Sequence, residues 1–546
     1  MPLTIRLGSA FAWLLTACPP FPGPELCETV ECLATSAPVG TSGWPQLPTT
    51  SGDGFQTVTG NQPASTGNPD PTTETPGTTT GEPQQEPPTI VEYKLSPEEI
   101  KVSGPIKVTV TAAHAHGVHM VLDSGETGDL ALVEGNEFDG SFDVLSGDDN
   151  GDYHVHLTPW RDAEVGVEVL APYKVSLPKP GTPVFWETSD ELGPGQVAAL
   201  GVLPDGQVVE FGTRFPKGLP RCYLRRRDPL GAVNDTAFLL GDNDCTAVDL
   251  QVDDTGALFV LVKRTGGDGV RWWYGQISAW GKGATPVEEG EKGESAVALA
   301  LHPSGTVAVC GFAPTNAADV DAMIHVFAPN VVGGKKLTFD YQPPDKLAHT
   351  FEERTRDCIY TKDTLALVGE AYGWHLLENF KRERLFVLRV DPGTGEASWM
   401  VAPPGVRAQS GAQAVDVDQD GNLIVAGYAC DDDCAPEGEL RRYDGGDTLT
   451  WQVSLGAFQS KPLAITDVAW SPAGYAVVAS GGLLGAEGAF TVRAFAQKQV
   501  LPIWAYTHKD IMALDLALAL AIGRYGAVYA GGLGMNSYPA VAIING

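Results

Sequence analysis

The sequence predicts an all-β protein whose larger part is a seven-bladed β-propeller. Two observations support this prediction. A sequence repeat occurs seven times, and the last strand of the repeat is missing after the seventh copy but present before the first. Each copy reads as an apolar strand, a turn and a second apolar strand. The copies are Val197–Gly212, Ala247–Val262, Ala296–Gly311, Arg356–Gly369, Ala412–Gly427, Ile465–Gly481 and Leu514–Gly531.

The spacing of the copies is typical of propeller blades. Six copies keep a glycine in the turn, and successive glycines are 50, 49, 116, 53 and 52 residues apart. The long interval is a double step, because the fourth copy has Asp363-Thr364 in place of the glycine. A period near fifty residues leaves room for four strands per copy, which predicts one blade each. The turn glycines are Gly206, Gly256, Gly305, Gly421, Gly474 and Gly526.

The ring is predicted to close through its N-terminal strand. Most copies are followed by a third strand and by a fourth that carries a tryptophan, as in Leu388–Trp399, Arg441–Trp451 and Val492–Trp504. The last copy is followed only by Pro539–Ile544, whereas Pro183–Thr188, which contains Trp186, precedes the first copy at a matching distance. We therefore expect this strand to complete the last blade and cover an edge that would otherwise be open.

The N-terminus reads as an export and anchoring signal. Residues 1–17 contain Arg6 and an apolar stretch, and Leu15-Thr16-Ala17-Cys18 resembles the lipobox of bacterial lipoproteins. That resemblance implies cleavage before Cys18 and a lipid-modified cysteine; an ordinary secretory signal is the alternative. No later run reaches the roughly 20 apolar residues that span a bilayer. The expected location is the cell envelope, at the outer membrane or cell surface, with the membrane as a partner through the lipid.

Two further regions precede the propeller, which we place at residues 183–546. Residues 18–88 are rich in Pro, Thr and Gly, which predicts a disordered stalk. Residues 89–178 contain short strand-like runs separated by Gly and Asp turns, and Ile106–Gly125 and Asn150–Leu157 resemble the bacterial immunoglobulin-like family. The resemblance implies a spacer or adhesive β-sandwich. The predicted strands are Ile106–Ala112, Val118–Leu122, Ser141–Val144, Tyr153–Leu157 and Val165–Leu170.

Charge and cysteine content narrow the function classes. The formal charge of −32 argues against nucleic acid, whose phosphates need Lys and Arg. Apart from Cys18 there are eight cysteines, an even number that suits disulfides in an exported chain. We predict that the cysteines pair in sequence order. Cys430 and Cys434, which flank three aspartates, would then form a disulfide across a short loop, and a metal site is the alternative there. The eight are Cys27, Cys32, Cys222, Cys245, Cys310, Cys358, Cys430 and Cys434.

Two patterns suggest metal ligands, each with a plainer alternative. Five histidines fall in the small domain, and pairs two residues apart share one face of a strand, so a Zn or Cu site is conceivable if their segments are neighbours. The alternative is a polar sandwich face. The histidines are His114, His116, His119, His154 and His156. The alternating Asp416, Asp418 and Asp420 before Gly421 resemble the start of a calcium loop, although the segment coincides with a propeller turn.

No catalytic motif is recognisable, and we expect neither an enzyme nor a cofactor. Asp391-Pro-Gly-Thr394-Gly395-Glu-Ala-Ser-Trp399 resembles the repeat of pyrroloquinoline-quinone-type propellers, in which the turn joins outer strands and the Trp docks between blades. The quinone-binding residues of that family are not recognisable. The leading hypothesis is a binding or scaffold module for a protein or glycan, with Ala313–Gly334 and Ala371–Arg384 at the rim. Trp272, Trp273 and Tyr274 either contact a ligand or pack between blades.

The alternative hypothesis is a hydrolase or lyase that acts on polysaccharide. Propeller enzymes of this kind place carboxylates around the axis, and this chain has many Asp and Glu. Two facing carboxylates about 5–10 Å apart beside a cleft would favour glycosidase chemistry. An apolar or uncharged funnel would favour binding.

Overall fold

The computed structural model describes residues 86–239, 244–266, 269–277, 280, 285–316, 319–329, 331, 333–342, 348–375, 381–401, 409–430, 437–456, 463–482, 490–508, 516–534 and 538–546. These residues fall in one compact unit, Glu86–Gly546. The predicted signal, the lipidation site and all of the stalk except residues 86–88 lie outside the described residues, as do Cys27, Cys32 and Cys434. Among the described residues, no helix has the length and apolar character needed to cross a bilayer.

The small domain is a β-sandwich around a single apolar core. Its strands are β1 (Thr89–Ser96), β2 (Glu99–Ile100), β3 (Gly104–Ala113), β4 (Gly117–Leu122), β5 (Thr127–Glu134), β6 (Glu137–Val144), β7 (Gly151–Arg161), β8 (Glu164–Val165) and β9 (Val169–Val175). The strand order is β1-β3-β6-β5-β4-β7-β9-β2, with β8 beside β7, and β5 pairs with strands of both layers. Every second residue of β3 is buried, as one inward face requires.

The predicted sandwich strands are partly correct. Four of them lie within β3, β4, β6 and β7, but the predicted strand Val165–Leu170 is wrong. The chain leaves β8 after Val165 and enters β9 at Val169, because the exposed Gly166–Glu168 stretch turns between them. Strands β1 and β5 were not predicted, since their mostly exposed residues lack a clear apolar alternation.

Seven four-stranded blades follow, which confirms the propeller. Single residue pairs join blades 3 and 4, and blades 6 and 7, into eight-stranded sheets. The strand that precedes them is β10 (Pro183–Thr188). Blade 1 has β11 (Gly195–Val202), β12 (Val208–Arg214), β13 (Arg221–Arg227) and β14 (Val233–Phe238). Blade 2 has β15 (Cys245–Val252), β16 (Leu258–Gly266), β17 (Gly269–Ile277) and β18 (Thr285–Glu289). Blade 3 has β19 (Ser295–Leu301), β20 (Val307–Asn316), β21 (Asp319–Phe327) and β22 (Lys335–Phe339).

The remaining blades have the same build. Blade 4 has β23 (Ala348–Thr361), β24 (Thr364–His375), β25 (Lys381–Val390) and β26 (Ala397–Val401). Blade 5 has β27 (Gln409–Val417), β28 (Leu423–Cys430), β29 (Glu437–Tyr443) and β30 (Leu449–Gly456). Blade 6 has β31 (Leu463–Ser471), β32 (Tyr475–Gly482), β33 (Phe490–Ala496) and β34 (Trp504–His508). Blade 7 has β35 (Leu516–Ile522), β36 (Val528–Gly534), β37 (Tyr538–Ile544) and β10. Two short 3₁₀ helices, Asp190–Leu192 and Pro216–Gly218, complete the secondary structure of the described residues.

The tight turns explain the recurring glycine. All six turn glycines have φ between +82° and +87°, a region that other residues rarely adopt. The fourth copy instead joins β23 to β24 through Lys362, which takes φ +54°, and Asp363. The residue pattern therefore reports backbone geometry and carries no chemistry.

Apolar clusters join every pair of adjacent blades. Seven buried clusters each draw their propeller residues from two neighbouring blades, including blades 7 and 1. Trp272 and Tyr274 pack between blades 2 and 3, and Trp273 packs between blades 1 and 2, so this aromatic cluster is buried packing. Two disulfides add covalent links, Cys222–Cys245 between blades 1 and 2 and Cys310–Cys358 between blades 3 and 4. These two pairings confirm the prediction, and Cys430 is also disulfide-bonded.

The predicted ring closure is confirmed. Strand β10 pairs antiparallel with β37, placing Trp186 opposite Ala542 and Glu187 opposite Val541. Trp186 stacks on His508 and meets Phe490 edge-on, both in blade 6, with ring centroids 3.8 and 4.9 Å away. On the side of β10 that faces blade 1 the contact is ionic, because the buried Arg227 of blade 1 contacts Glu187 at 2.9 Å.

The sandwich docks on one face of the ring. We call this the turn face, because the innermost strands end there in their tight turns; the loop face is the opposite one. Ser146 N donates to Tyr525 O at 2.9 Å, and Arg524 contacts Asp143 at 2.8 Å. Asn545 fixes the connection by donating from Nδ2 to Pro178 O at 2.6 Å. The loop face carries the connections between the second and third strands of each blade and is not occupied by these contacts.

Candidate functional site

The innermost strands surround an axial cavity of about 770 Å³. Each of the seven strands carries a β-bulge at the same place in its repeat. A bulge re-aims side chains locally, and all seven bulged residues line the cavity. They are Ala198, Val248, Val297, Arg356, Gln413, Thr466 and Leu518.

Three aspartates occupy the position after the bulge and join neighbouring blades. Asp249, Asp357 and Asp467 stand in blades 2, 4 and 6, while blades 1, 3, 5 and 7 have alanine there. One oxygen of each carboxylate accepts the N–H of the following residue at 2.7–2.8 Å. The other oxygen accepts a backbone N–H from the next blade at 2.6–2.8 Å. These donors are Leu299, Val415 and Leu520.

Asp416 forms a fourth link of the same kind, two residues further along its strand. Its carboxylate accepts Val417 N at 2.7 Å and Trp470 N of blade 6 at 2.6 Å. Asp418 instead accepts N–H groups within the turn and contacts Arg442 at 2.7 Å. Asp420 is mainly exposed. Asp418 and Asp420 thus share Arg442, whereas Asp416 joins the next blade, so the three carboxylates suggested as a calcium loop hold structural partners.

The axial carboxylates are harder to ionise than ordinary aspartates. Each is partly accessible from the cavity but surrounded by protein on its other sides. Burial raises the pKa of Asp249 and Asp416 to about 6 and that of Asp467 to about 7. Burial and the neighbouring Asp467 and Asp249 carboxylates also raise the pKa of Asp357. The accepted N–H bonds oppose these shifts without cancelling them.

A buried polar cluster adjoins the cavity between blades 4 and 5. Arg356 donates to Glu370 from Nε and Nη2 at 3.1 and 2.8 Å, and Gln413 donates to the other Glu370 oxygen at 2.7 Å. Tyr428 of blade 5 donates to Glu383 of blade 4. Burial raises the pKa of Glu370 despite the guanidinium. The funnel is thus neither apolar nor uncharged, yet the carboxylates that the structure describes there hold structural hydrogen bonds.

The rim on the loop face is formed by long hairpins of blades 3 and 4. Residues 313–316 and 371–375 end β20 and β24, so the starts of both predicted rim segments lie there. Residues 328, 329, 331, 333 and 334 of the first segment fall instead beyond the far end of β21, on the turn face, because the chain has crossed the blade again. Arg354 stacks over the Tyr372 ring at 5.2 Å and contacts Glu352 at 2.5 Å, all three partly exposed.

Among the described residues, one acidic group has spacing suited to a metal ion. Carboxylate oxygens of Asp319, Asp321 and Glu353 lie within 4.8 Å of one another at this rim. Oxygen ligands of this kind suit hard cations such as Ca²⁺. Sequence reasoning missed the group because its members come from strands of two blades. The spacing of these three carboxylates does not by itself identify an ion, and we assign none.

The five sandwich histidines do not form one group. His156 contacts Asp123 at 3.0 Å and Glu168, and the hydrogen bonds that its ring donates to Asp123 and then to Glu168 raise its pKa. His154 shares Asp123 at 3.6 Å. The strands β4 and β7 do pair, but the residue opposite His156 is Val121, and His116 lies beside Trp160 instead. The remaining three contact other carboxylates: His114 with Glu86, His116 with Asp162 and His119 with Asp129.

Comparisons with known proteins add no family. No family model matches the chain, and no curated protein matches it. A protein of unknown function from Bacteroides thetaiotaomicron VPI-5482 shares 11% identity at a TM-score of 0.36, over 85% of this chain and 99% of that one. A PL25 ulvan lyase shares 8% sequence identity at a TM-score of 0.40, over 65% of this chain and 95% of the lyase. The propeller domain of the trilobed protease from Pyrococcus furiosus shares 10% sequence identity at a TM-score of 0.39, over 65% of this chain and 94% of that domain. Because these scores are below 0.5, the propeller assignment rests on the strand pairing within this chain.

Proposed function

We propose that this chain is a lipid-anchored envelope protein whose propeller binds a protein or glycan on its loop face. The observation that carries the proposal is the division of the two faces. The sandwich occupies part of the turn face through Tyr525 and Arg524, whereas the long hairpins of blades 3 and 4 lie on the loop face. Binding residues commonly sit on loops held by a rigid scaffold.

The rim chemistry supports a polar ligand. Arg354 and Tyr372 offer a guanidinium and an aromatic face side by side, partly exposed to solvent. Arginine and tyrosine are enriched among residues that dominate binding energy. The sandwich, whose sequence resembles immunoglobulin-like domains, serves as a spacer between the anchor sequence and the ring.

The binding test compares this pair with a matched pair on the other face. Arg226 stacks over Trp280 at 5.0 Å near the turn face, so it reproduces the same interaction away from the proposed site. We expect R354A and Y372A to weaken capture of glycans on an array, or of proteins from envelope extracts, by about tenfold each. R226A and W280A should leave capture unchanged. Equal losses from both pairs would refute the loop-face site.

The same preparation tests anchoring and the enzymatic alternative. The full chain should partition into detergent, and C18A should move to the aqueous phase; detergent partitioning by both would contradict lipidation at Cys18. New reducing ends or unsaturated sugars, released by the wild-type protein from acidic polysaccharides, would establish a hydrolase or lyase instead of a binding module.

A further inference from the structure

The axial aspartates are placed to exchange protons while still joining the blades. Each of the four carboxylates uses both oxygens for backbone N–H groups, one within its blade and one in the next. A carboxylate oxygen has two lone pairs, so it can accept an N–H on one side and take a proton on the other. The side that faces the cavity is the accessible one, since all four residues line it.

Their surroundings supply little positive charge. Among the described residues that line the cavity, the basic ones are Arg356, Lys362 and His302. Arg356 is held by Glu370, and the other two lie at or beside the tight turns, where His302 Nε2 is 3.9 Å from Asp363. Along the adjoining strands, the equivalent positions of blades 1, 3, 5 and 7 are uncharged alanines. The charges that Asp467 faces are those of Asp249 and Asp416, and Asp357 faces Asp467 and Asp249.

We propose that the four axial aspartates form a proton-dependent clamp, which holds neighbouring innermost strands tightly in mildly acidic solution and loosens as the solution becomes alkaline. The clamp is a property of the ring itself and does not depend on the ligand proposed above.

The direction follows from the two states of the chain. An unfolded aspartate loses its proton near pH 3.8, whereas burial raises the pKa of Asp249 and Asp416 to about 6 and that of Asp467 to about 7 in the folded chain. Burial raises the pKa of Asp357 in the same direction. Between these limits the folded ring keeps protons that the unfolded chain releases, so stability falls as the pH rises. Ordinary salt-bridged aspartates give the opposite trend. Above this window the ring must hold several buried negative charges close together.

Hydrogen exchange of the four donor amides provides the direct test on the wild-type chain. After correction for the intrinsic rate, protection of Leu299, Val415, Trp470 and Leu520 should fall by at least about tenfold between about pH 5 and about pH 8. Leu200 occupies the equivalent position in blade 1, but the preceding blade, blade 7, has an alanine where the other donors meet an aspartate. The protection of the Leu200 amide should therefore change less with pH. Protection that stays constant or rises with pH at the four amides would overturn the clamp.

Single substitutions test which groups titrate. In D249N and D467N, the pH dependence of the urea midpoint should correspond to about one proton fewer released on unfolding than in the wild type. D391N is the control, because turn N–H bonds already lower the pKa of this aspartate. Wild-type pH dependence in both ring variants would overturn the proposal, and if neither variant folds the wild-type exchange data decide. Suppression of the wild-type pH dependence by added calcium would also overturn it, since the carboxylates would then be cation ligands.

Discussion

The closing strand makes the sharpest prediction, because β10 is the only strand of the described ring that joins its blade without a connecting turn. Trp186 anchors it by stacking on His508 and meeting Phe490. Trp399 is a matched control: it lies on the outer strand of blade 4, is also partly buried, and meets Phe386 edge-on at 5.2 Å. Its strand, however, follows β25 directly through a short turn. The two substitutions W186A and W399A thus remove similar contacts from strands held in different ways.

The two variants should lose similar amounts of global stability. Truncating a buried Trp to Ala costs about 3–5 kcal/mol, and the partial exposure of both rings places them near about 3 kcal/mol. A ring of about 360 residues has an unfolding entropy near 0.75 kcal/mol/K, so the melting temperature should drop by about 4 °C in each. Local opening should differ, because in W186A the detachment of β10 requires no turn to rearrange.

Hydrogen exchange followed by mass spectrometry separates the two effects. In W186A, the amides of β37 that face β10 should exchange at least about tenfold faster than in W399A, in peptides covering Tyr538–Ile544. Calorimetry gives the global loss in the same samples. Unchanged exchange of β37 in W186A, or an unchanged melting temperature, would refute the reasoning that this strand closes the ring.

Two further predictions concern the links between blades. Replacing Cys310 and Cys358 with Ser should lower the free energy of unfolding by about 4 kcal/mol, and replacing Cys222 and Cys245 by about 3 kcal/mol, because the closed loops differ in length; losses below about 1 kcal/mol in urea titrations would contradict this. R227A should cost about 3 kcal/mol because Glu210 stays buried without its guanidinium, whereas R524A, which removes an exposed pair with Asp143, should cost less than about 1 kcal/mol. Equal effects of R227A and R524A in the same titrations would show that burial of the pair does not matter.

Periodic features of this chain and two disulfides between blades could be predicted from its sequence, whereas the hydrogen-bonded links between blades could not. The turn glycines recur because each tight turn needs positive φ, and the outer-strand tryptophans of the later blades recur because they fill the space between neighbouring blades. Both follow from geometry that repeats with the chain. The β1 and β5 strands escaped prediction because most of their residues are exposed to solvent, so burial imposes no apolar alternation on them.

The aspartates of the axis show the limit of sequence reasoning most clearly. Asp249 and Asp467 sit at equivalent places in aligned repeats, so their recurrence was visible, but their role depends on a bulge that turns each carboxylate toward the next blade. The alternation of Asp416 with Asp418 and Asp420 suggested a calcium loop, because alternate residues of a strand lie on one face. Alternation does not show that Asp416 instead accepts a backbone N–H of the next blade. In a ring, the partner of each innermost residue is about fifty residues away. A carboxylate in such a strand should therefore be considered first as a link between blades. A catalytic or binding role at the axis has to be argued from polar groups that are free to contact a ligand.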